Sequence, residues 1–188
     1  AFGIARDNAE VVKGNAGSPY AIKDYYDIAP DLAINVPERM KEFEQLVERT
    51  HRSGLKMIMD FVPNHVARQY HSDSKPAGVK DLGETDNTEL AFSAQNNFYY
   101  IPNESLHLDN IIGNKASYIE TPARVSGNDV FNAWPSINDW YETIKLNYGI
   151  DYQNGRSTHF SPIPDTWKKM TEILLFWAGK GVDGFRCD

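Results

Sequence analysis

The sequence holds one cysteine, Cys187, in 188 residues, which excludes an internal disulfide framework. Many exported enzymes have no disulfide either, so the compartment stays open. No apolar run approaches the roughly 20 residues of a membrane-spanning helix, and Ala1 to Asp7 lack the basic-then-apolar order of a signal peptide. Lys and Arg number 19 against 26 Asp and Glu, a formal charge of −7, and form no basic block. That balance argues against nucleic acid or an anionic membrane surface as partner and suits uncharged or cationic ligands. No glycine-rich phosphate loop follows either apolar run, since Val62 leads into Pro63. Ser18 and Ser161 lack nucleophile-elbow glycines, and no histidine pair has zincin spacing. Nucleotide cofactors, elbow serines and zinc proteolysis are set aside on these grounds. Internal repeats and low-complexity tracts are missing too, and 41% hydrophobic with 24% charged residues describes a globular chain, not a disordered or fibrous one.

Two segments carry helical period together with start and stop signals. Met40, Phe43, Val47 and Thr50 recur at helical spacing, with Pro37 at the first turn and Gly54 beyond the last, which predicts a helix over 37–53. Pro164, Asp165, the stripe Trp167, Met170, Leu174 and Trp177, and Gly179 or Gly181 predict a second over 164–179. Each leads at once into a short, nearly continuous apolar run, 55–62 and 182–188. Such runs after amphipathic helices describe a parallel sheet buried on both faces, hence an α/β fold, either a barrel or a doubly wound sheet. In both, chemistry belongs at the strand C-termini.

Val62 and Val182 are 120 residues apart, whereas an ordinary crossover needs about 30. An excursion is therefore inserted after the first strand. Between Asn64 and Phe160 it holds 13 of the 23 aromatic residues. It reads as a loop-rich subdomain over the strand ends, with Trp134, Trp140, Tyr141, Tyr148 and Tyr152 either walling a site or filling its own core. The division is 1–63 and 161–188 for the sheet-and-helix part and 64–160 for the insertion.

The first strand ends in Asp60-Phe61-Val62-Pro63-Asn64-His65, which puts a carboxylate, an amide and an imidazole on one rim. Such a cluster either ties a loop to the strand top or binds a ligand. The second strand carries Asp183, Arg186 and Asp188, and period two turns Arg186 and Asp188 to the same side. A buried Arg beside a buried Asp keeps the carboxylate ionised, which serves a nucleophile or a structural ion pair equally.

These two segments, in this order across a long excursion, resemble the first two signature strand ends of the α-amylase family, glycoside hydrolase family 13. The stretch from Gly17 to Tyr26, with Tyr20 four residues ahead of Asp24, is similar to that family's loop before the helix preceding the first signature. Lys145-Leu146-Asn147-Tyr148 resembles a weaker signature near the end of its inserted domain. The resemblance implies a catalytic (β/α)₈ TIM barrel, here partial, with the insertion after the third strand. It also implies retaining hydrolysis of α-glucosidic bonds in starch-like glucans or maltooligosaccharides. By position Asp188 would be the nucleophile, Arg186 would keep it ionised and aimed, His65 would bond sugar hydroxyls, and Tyr20 would supply a stacking platform. Asp60 and Asp24 would orient the site without touching sugar. Asn64 would be a calcium ligand in many members, but Lys145 stands where calcium-dependent members carry an aspartate, which disfavours a metal, and no cofactor is required. Cys187 should face away from the sugar and pack as an apolar side chain.

A retaining glycosidase also needs a second carboxylic acid roughly 5 to 5.5 Å from the nucleophile, which in this family follows the point where the chain ends. The chain is accordingly expected to be a piece of a longer polypeptide, inactive by itself, with the rest of the barrel in the same polypeptide or a second chain. Transglycosylation or isomerisation through the same intermediate, or a silent carbohydrate-binding relative, are the alternatives. A polymeric substrate would favour export.

Overall fold

The computed structural model describes residues 7–14 and 17–188. In chain order its main elements are α1 (Arg39–Arg52), β1 (Ile58–Phe61), β2 (His65–Ala67), β3 (Tyr100–Ile101) and α2 (Asp109–Ile112). There follow β4 (Ala123–Arg124), β5 (Thr143–Lys145), β6 (Ile150–Asp151), β7 (Ser157–Thr158), α3 (Asp165–Gly179) and β8 (Gly184–Cys187).

The two helix-to-strand units form by the same local chemistry. A 3₁₀ turn, Val36–Glu38, carries Pro37 and leads into α1, where the Glu42 carboxylate accepts the free amides of Ile34 and Asn35 at 2.9 and 2.6 Å. At the other end Gly54 takes φ +76°, and the Leu55 amide reaches back to the Thr50 carbonyl at 3.1 Å, a Schellman-type stop that turns the chain directly toward β1. The second helix ends the same way, with Gly181 at φ +92° and the Val182 amide on the Trp177 carbonyl at 3.1 Å. A side chain at 181 would also strike Val47 Cγ1, 2.9 Å from the place of its Cβ.

β1 and β8 pair in parallel, with Asp60 opposite Arg186 and Phe61 opposite Cys187. The ladder continues at both ends, from Asp183 N–H to the Met57 carbonyl and from Asp188 N–H to the Phe61 carbonyl, both 2.9 Å. Below the strands, Asp183 accepts the Met57 amide and the Lys56 ammonium at 2.9 Å and lies 2.6 Å from His51, which ties the start of β8 to the end of α1. The core between the units is formed by Phe61, Met170, Ile173, Trp177 and Val182, with Met40 and Phe43 against it. Trp177 meets Phe43 edge-on at 5.3 Å and gives its indole N–H to the buried Tyr25 carbonyl at 2.7 Å.

The helix stripe differs in one respect from the sequence pattern. The buried residues of α3 are Thr166, Lys169, Met170, Ile173 and Trp177, whereas Trp167 is exposed and donates its N–H to the Tyr148 carbonyl. Among the described residues β1 and β8 have only each other as strand neighbours, so Ile58 and Cys187 are exposed, and Cys187 is not the packed side chain that strand alternation suggested.

Residues 64–160 form short antiparallel pairs, β2 with β5, β3 with β4 and β6 with β7. Val66, Phe98, Ile144 and Leu146 pack into the same core as α3, while Leu106, Leu108, Ala123, Ala133 and Tyr141 make a second cluster with Val11. Between the pairs lies a polar centre. Arg68 is fully buried and donates to the carbonyls of Tyr141, Arg124 and Thr143, to Ser126 Oγ, and to Glu120 at 2.8 Å. Glu120 also takes bonds from Arg124 and Tyr118. Every donor of the Arg68 guanidinium thus faces an acceptor, the condition under which a buried charge is tolerated.

Candidate active site

A cleft of about 430 Å³ opens at the C-terminal ends of β1 and β8. Val62, Asn64 and His65 come from the segment that leaves β1, Asp188 from the end of β8, Gly127 to Asp129 from a turn preceding β5, and Trp140 from the loop that follows that turn. The parallel pairing brings Asp188 to this rim, because its amide continues the ladder from Phe61.

Arg186 and Asp188 do share a side of the strand. Arg186 Nη1 lies 2.7 Å from Asp188 Oδ1 and 3.0 Å from Asp60 Oδ1, so Asp60 acts on Asp188 through the guanidinium. The hydrogen bond that Arg186 donates to Asp60 and the Asp188 charge hold the Arg186 pKa above its usual value. The group is not the buried pair expected, however: the Arg186 and Asp188 side chains are 58% and 44% exposed, since among the described residues no other strand flanks β8.

His65 is buried and packs against Trp140, with ring centroids 5.2 Å apart. Burial pushes its pKa below 6.5, with Lys145 adding to the effect and the Tyr20 backbone and the Asp188 charge opposing it. The Asn64 side-chain NH₂ lies 3.0 Å from His65 Nδ1 and 2.9 Å from the Gly127 carbonyl. An amide nitrogen only donates, so Nδ1 accepts, and the neutral ring carries its proton on Nε2.

Asn64 Oδ1 faces Lys145 Nζ at 3.4 Å, and Lys145, itself buried, pairs with Asp129 at 2.5 Å. The oxygen that would bind calcium is turned to an ammonium, and no set of three or more His, Cys, Asp or Glu side chains with metal-binding geometry occurs among the described residues.

Tyr20 is exposed, its amide on Ser18 Oγ, and its backbone acts on His65, but its side chain is not among those lining the cleft. Asp24 lies elsewhere: it accepts the Tyr26 and Asp73 amides at 2.7 and 2.9 Å, burial raises its pKa, and none of these contacts belongs to the cleft. Of the aromatic residues considered as walls, Trp140 lines the cleft. Tyr141 is in the smaller core, Tyr148 gives its hydroxyl to the Pro63 carbonyl at 2.7 Å, Tyr152 packs on Tyr99 and Phe131, and Trp134 stacks on His107 at the surface. The turn Gly127-Asn128-Asp129 carried no signal beyond ordinary turn chemistry. Its role depends on contacts with Asn64, Trp140 and Lys145, all distant in sequence.

A carboxylate gripped by an arginine at a parallel strand end thus lies beside a histidine and an aromatic wall. The family model described as "Alpha amylase, catalytic domain" matches residues 12–188, and the chain belongs to that family of glycosidases. It is 27% identical over 169 residues to Maltase A1 of Drosophila melanogaster, which covers 90% of this chain and 25% of the relative. It is equally 27% identical over 169 residues to the amino acid transporter heavy chain SLC3A1 of Mus musculus, covering 90% and 20%. A solved trehalulose synthase, MutB, superposes with a TM-score of 0.50 over 94% of this chain and 26% of its own, at 16% identity, a likeness of fold. The chain spans about a quarter or less of the length of these proteins.

Proposed function

We propose that this chain supplies the nucleophile half of a retaining α-glucosidase active site, acting on starch-like glucans or maltooligosaccharides in a (β/α)₈ barrel whose residues 64–160 form an inserted subdomain. The observation that carries the reading is Asp188 on the cleft rim, ionically gripped by Arg186 and facing the same space as His65. Asp188 attacks the anomeric carbon and forms a glycosyl ester while the aglycone oxygen leaves as an alcohol, protonated by a second carboxylic acid. Water then cleaves the ester with the same acid acting as base. Arg186 is the positioning residue that keeps Asp188 anionic, and Asp60 holds Arg186. His65 Nε2–H donates to a sugar hydroxyl, a bond that strengthens as charge develops on the ring, and Tyr20 offers a stacking surface. Maltase among the relatives supports this substrate class.

No metal enters this scheme, because the Lys145 ammonium already meets Asn64 and Asp129. Chelation with EDTA is therefore expected to leave the rate unchanged.

The test is Asp188→Asn in the full-length protein. Turnover of maltotriose should fall by at least about a thousandfold, as for loss of a catalytic nucleophile, while maltotriose binding by calorimetry persists. Unchanged turnover would remove Asp188 from the role. A second reading, a family member that works as an interaction subunit, draws on the transporter heavy chain among the relatives. It is favoured if the wild-type protein cleaves no α-glucoside.

A further inference from the structure

Asp129 is the one cleft residue among those described that combines a charge with an unusual backbone. It sits in the turn between the bridged residues Ser126 and Val130, at φ +67°, a left-handed conformation that asparagine and aspartate adopt more readily than other side-chain-bearing residues. The turn is fixed from three directions. The Asn64 side chain donates to the Gly127 carbonyl, Asn128 accepts the Trp140 amide at 3.1 Å and donates to Asp139 at 2.8 Å, and buried Lys145 holds the Asp129 carboxylate. Yet the Asp129 side chain remains 51% exposed, whereas that of Lys145 is 7% exposed. The lysine therefore grips the carboxylate from behind and leaves its remaining acceptor sites toward the cleft that Asp129 and Asp188 line together.

Carboxylates are the charged groups that line this space, Asp129 and Asp188. The nearby cations are already engaged, Lys145 with Asp129 and Arg186 with Asp60 and Asp188. We propose that Asp129 is a specificity-determining residue of this cleft: its carboxylate accepts hydroxyl groups of an uncharged sugar and repels sugars bearing an anionic substituent such as a phosphate monoester. The inference rests on the glycosidase reading above and adds to it a side chain that selects for charge.

Asparagine keeps the left-handed turn and an acceptor oxygen but removes the charge, and glycine removes the side chain with no backbone strain. Neither substitution strains the backbone, but each leaves the buried Lys145 ammonium without its carboxylate partner, so thermal melting of each variant accompanies the kinetics and Asp129→Asn, which keeps an acceptor oxygen for Lys145, is the variant read first. In the full-length protein, kcat and KM are measured for maltotriose and for the same oligosaccharide carrying a phosphate monoester. Wild type is expected to prefer the neutral substrate by roughly tenfold or more in kcat/KM, the size of one like-charge repulsion at partly hydrated range. Added salt should narrow this preference. Asp129→Asn should narrow it roughly threefold or more. Asp129→Gly should do the same and raise KM for maltotriose about fivefold, the loss of one hydrogen bond to a charged acceptor. Both variants at wild-type KM with an unaltered preference would overturn the proposal and leave the glycosidase reading standing. Failure of wild type to cleave either substrate would overturn both.

Discussion

Arg68 is the position at which a single substitution should most clearly separate packing from electrostatics. Arg68→Met preserves much of the side-chain volume but removes a charge from a fully buried site. Glu120 would keep Arg124 at 2.7 Å and the Tyr118 hydroxyl at 2.9 Å, so its carboxylate would not be left bare. Breaking a buried pair from one side costs about 3–5 kcal/mol, and the surviving arginine argues for the lower end of the charge contribution. The carbonyls of Tyr141 and Thr143 would also lose donors, at about 1–3 kcal/mol for each that stays dry. The total runs from about 3 kcal/mol with both carbonyls rehydrated to about 9 kcal/mol with both left dry, a large share of the roughly 5–15 kcal/mol that holds a typical domain together. Because Arg68 also anchors Ser126, the residue before the cleft turn, KM should rise along with the loss of stability. Urea unfolding of the full-length protein, with hydrogen exchange followed over residues 64–72 and 141–146, reads both the size and the place of the effect. The double variant Arg68→Met with Glu120→Gln should be less destabilised than the two single variants added together, since the two side chains share a network. A cost below about 1 kcal/mol, or strict additivity, would refute the reasoning.

Gly127→Ala would place a Cβ 2.5 Å from Thr143 Oγ1 and 2.9 Å from His65 Cβ. It should cost about 1–3 kcal/mol by overpacking and raise KM by displacing His65, as thermal melting and steady-state kinetics would show. Trp177→Phe should cost about 1–3 kcal/mol through the orphaned Tyr25 carbonyl, measured by the shift in urea midpoint. Acid lability should come in two stages. Burial depresses the His65 pKa below 6.5, so the unfolded chain binds the proton more readily and stability present above pH 6.5 is lost as pH falls through the folded value. Burial alone would raise the Glu120 pKa, but Arg68 and Arg124 together hold it below 4.5, so its contribution is present above pH 4.5 and is lost at lower pH. His65→Gln should flatten the first stage and leave the second, as stability measured from pH 8 to 3 would reveal.

Much of this was legible in the residues. Pro37 and Gly54, and Pro164 with Gly181, mark the two helices because proline and left-handed glycine have few other places in a helical pattern. Arg186 and Asp188 share a side because strand period is two. The Asp60-to-His65 run and the segment ending at Asp188 carried the family likeness. Periodicity says which residues share a face, however, and not what covers that face. Trp167 accordingly proved exposed where the pattern suggested burial, and Cys187 and Arg186 lie where β8 has a strand neighbour on one side alone among the described residues. Asp24 turned to the Asp73 loop and not to the cleft, because an aspartate near a turn bonds whichever free amides lie closest.

The local sequence by itself determined the two helix-to-strand units, their caps and the carboxylate, arginine and histidine at the strand ends, since each depends on neighbours within a few residues. Only the tertiary structure decided that Asp60 reaches Asp188 through Arg186, that Lys145 stands against Asn64 where a metal would otherwise be considered, and that Asp129 belongs to the cleft. Those contacts join residues brought together across the 64–160 excursion, and no local preference encodes a distance between segments that meet only when the core closes.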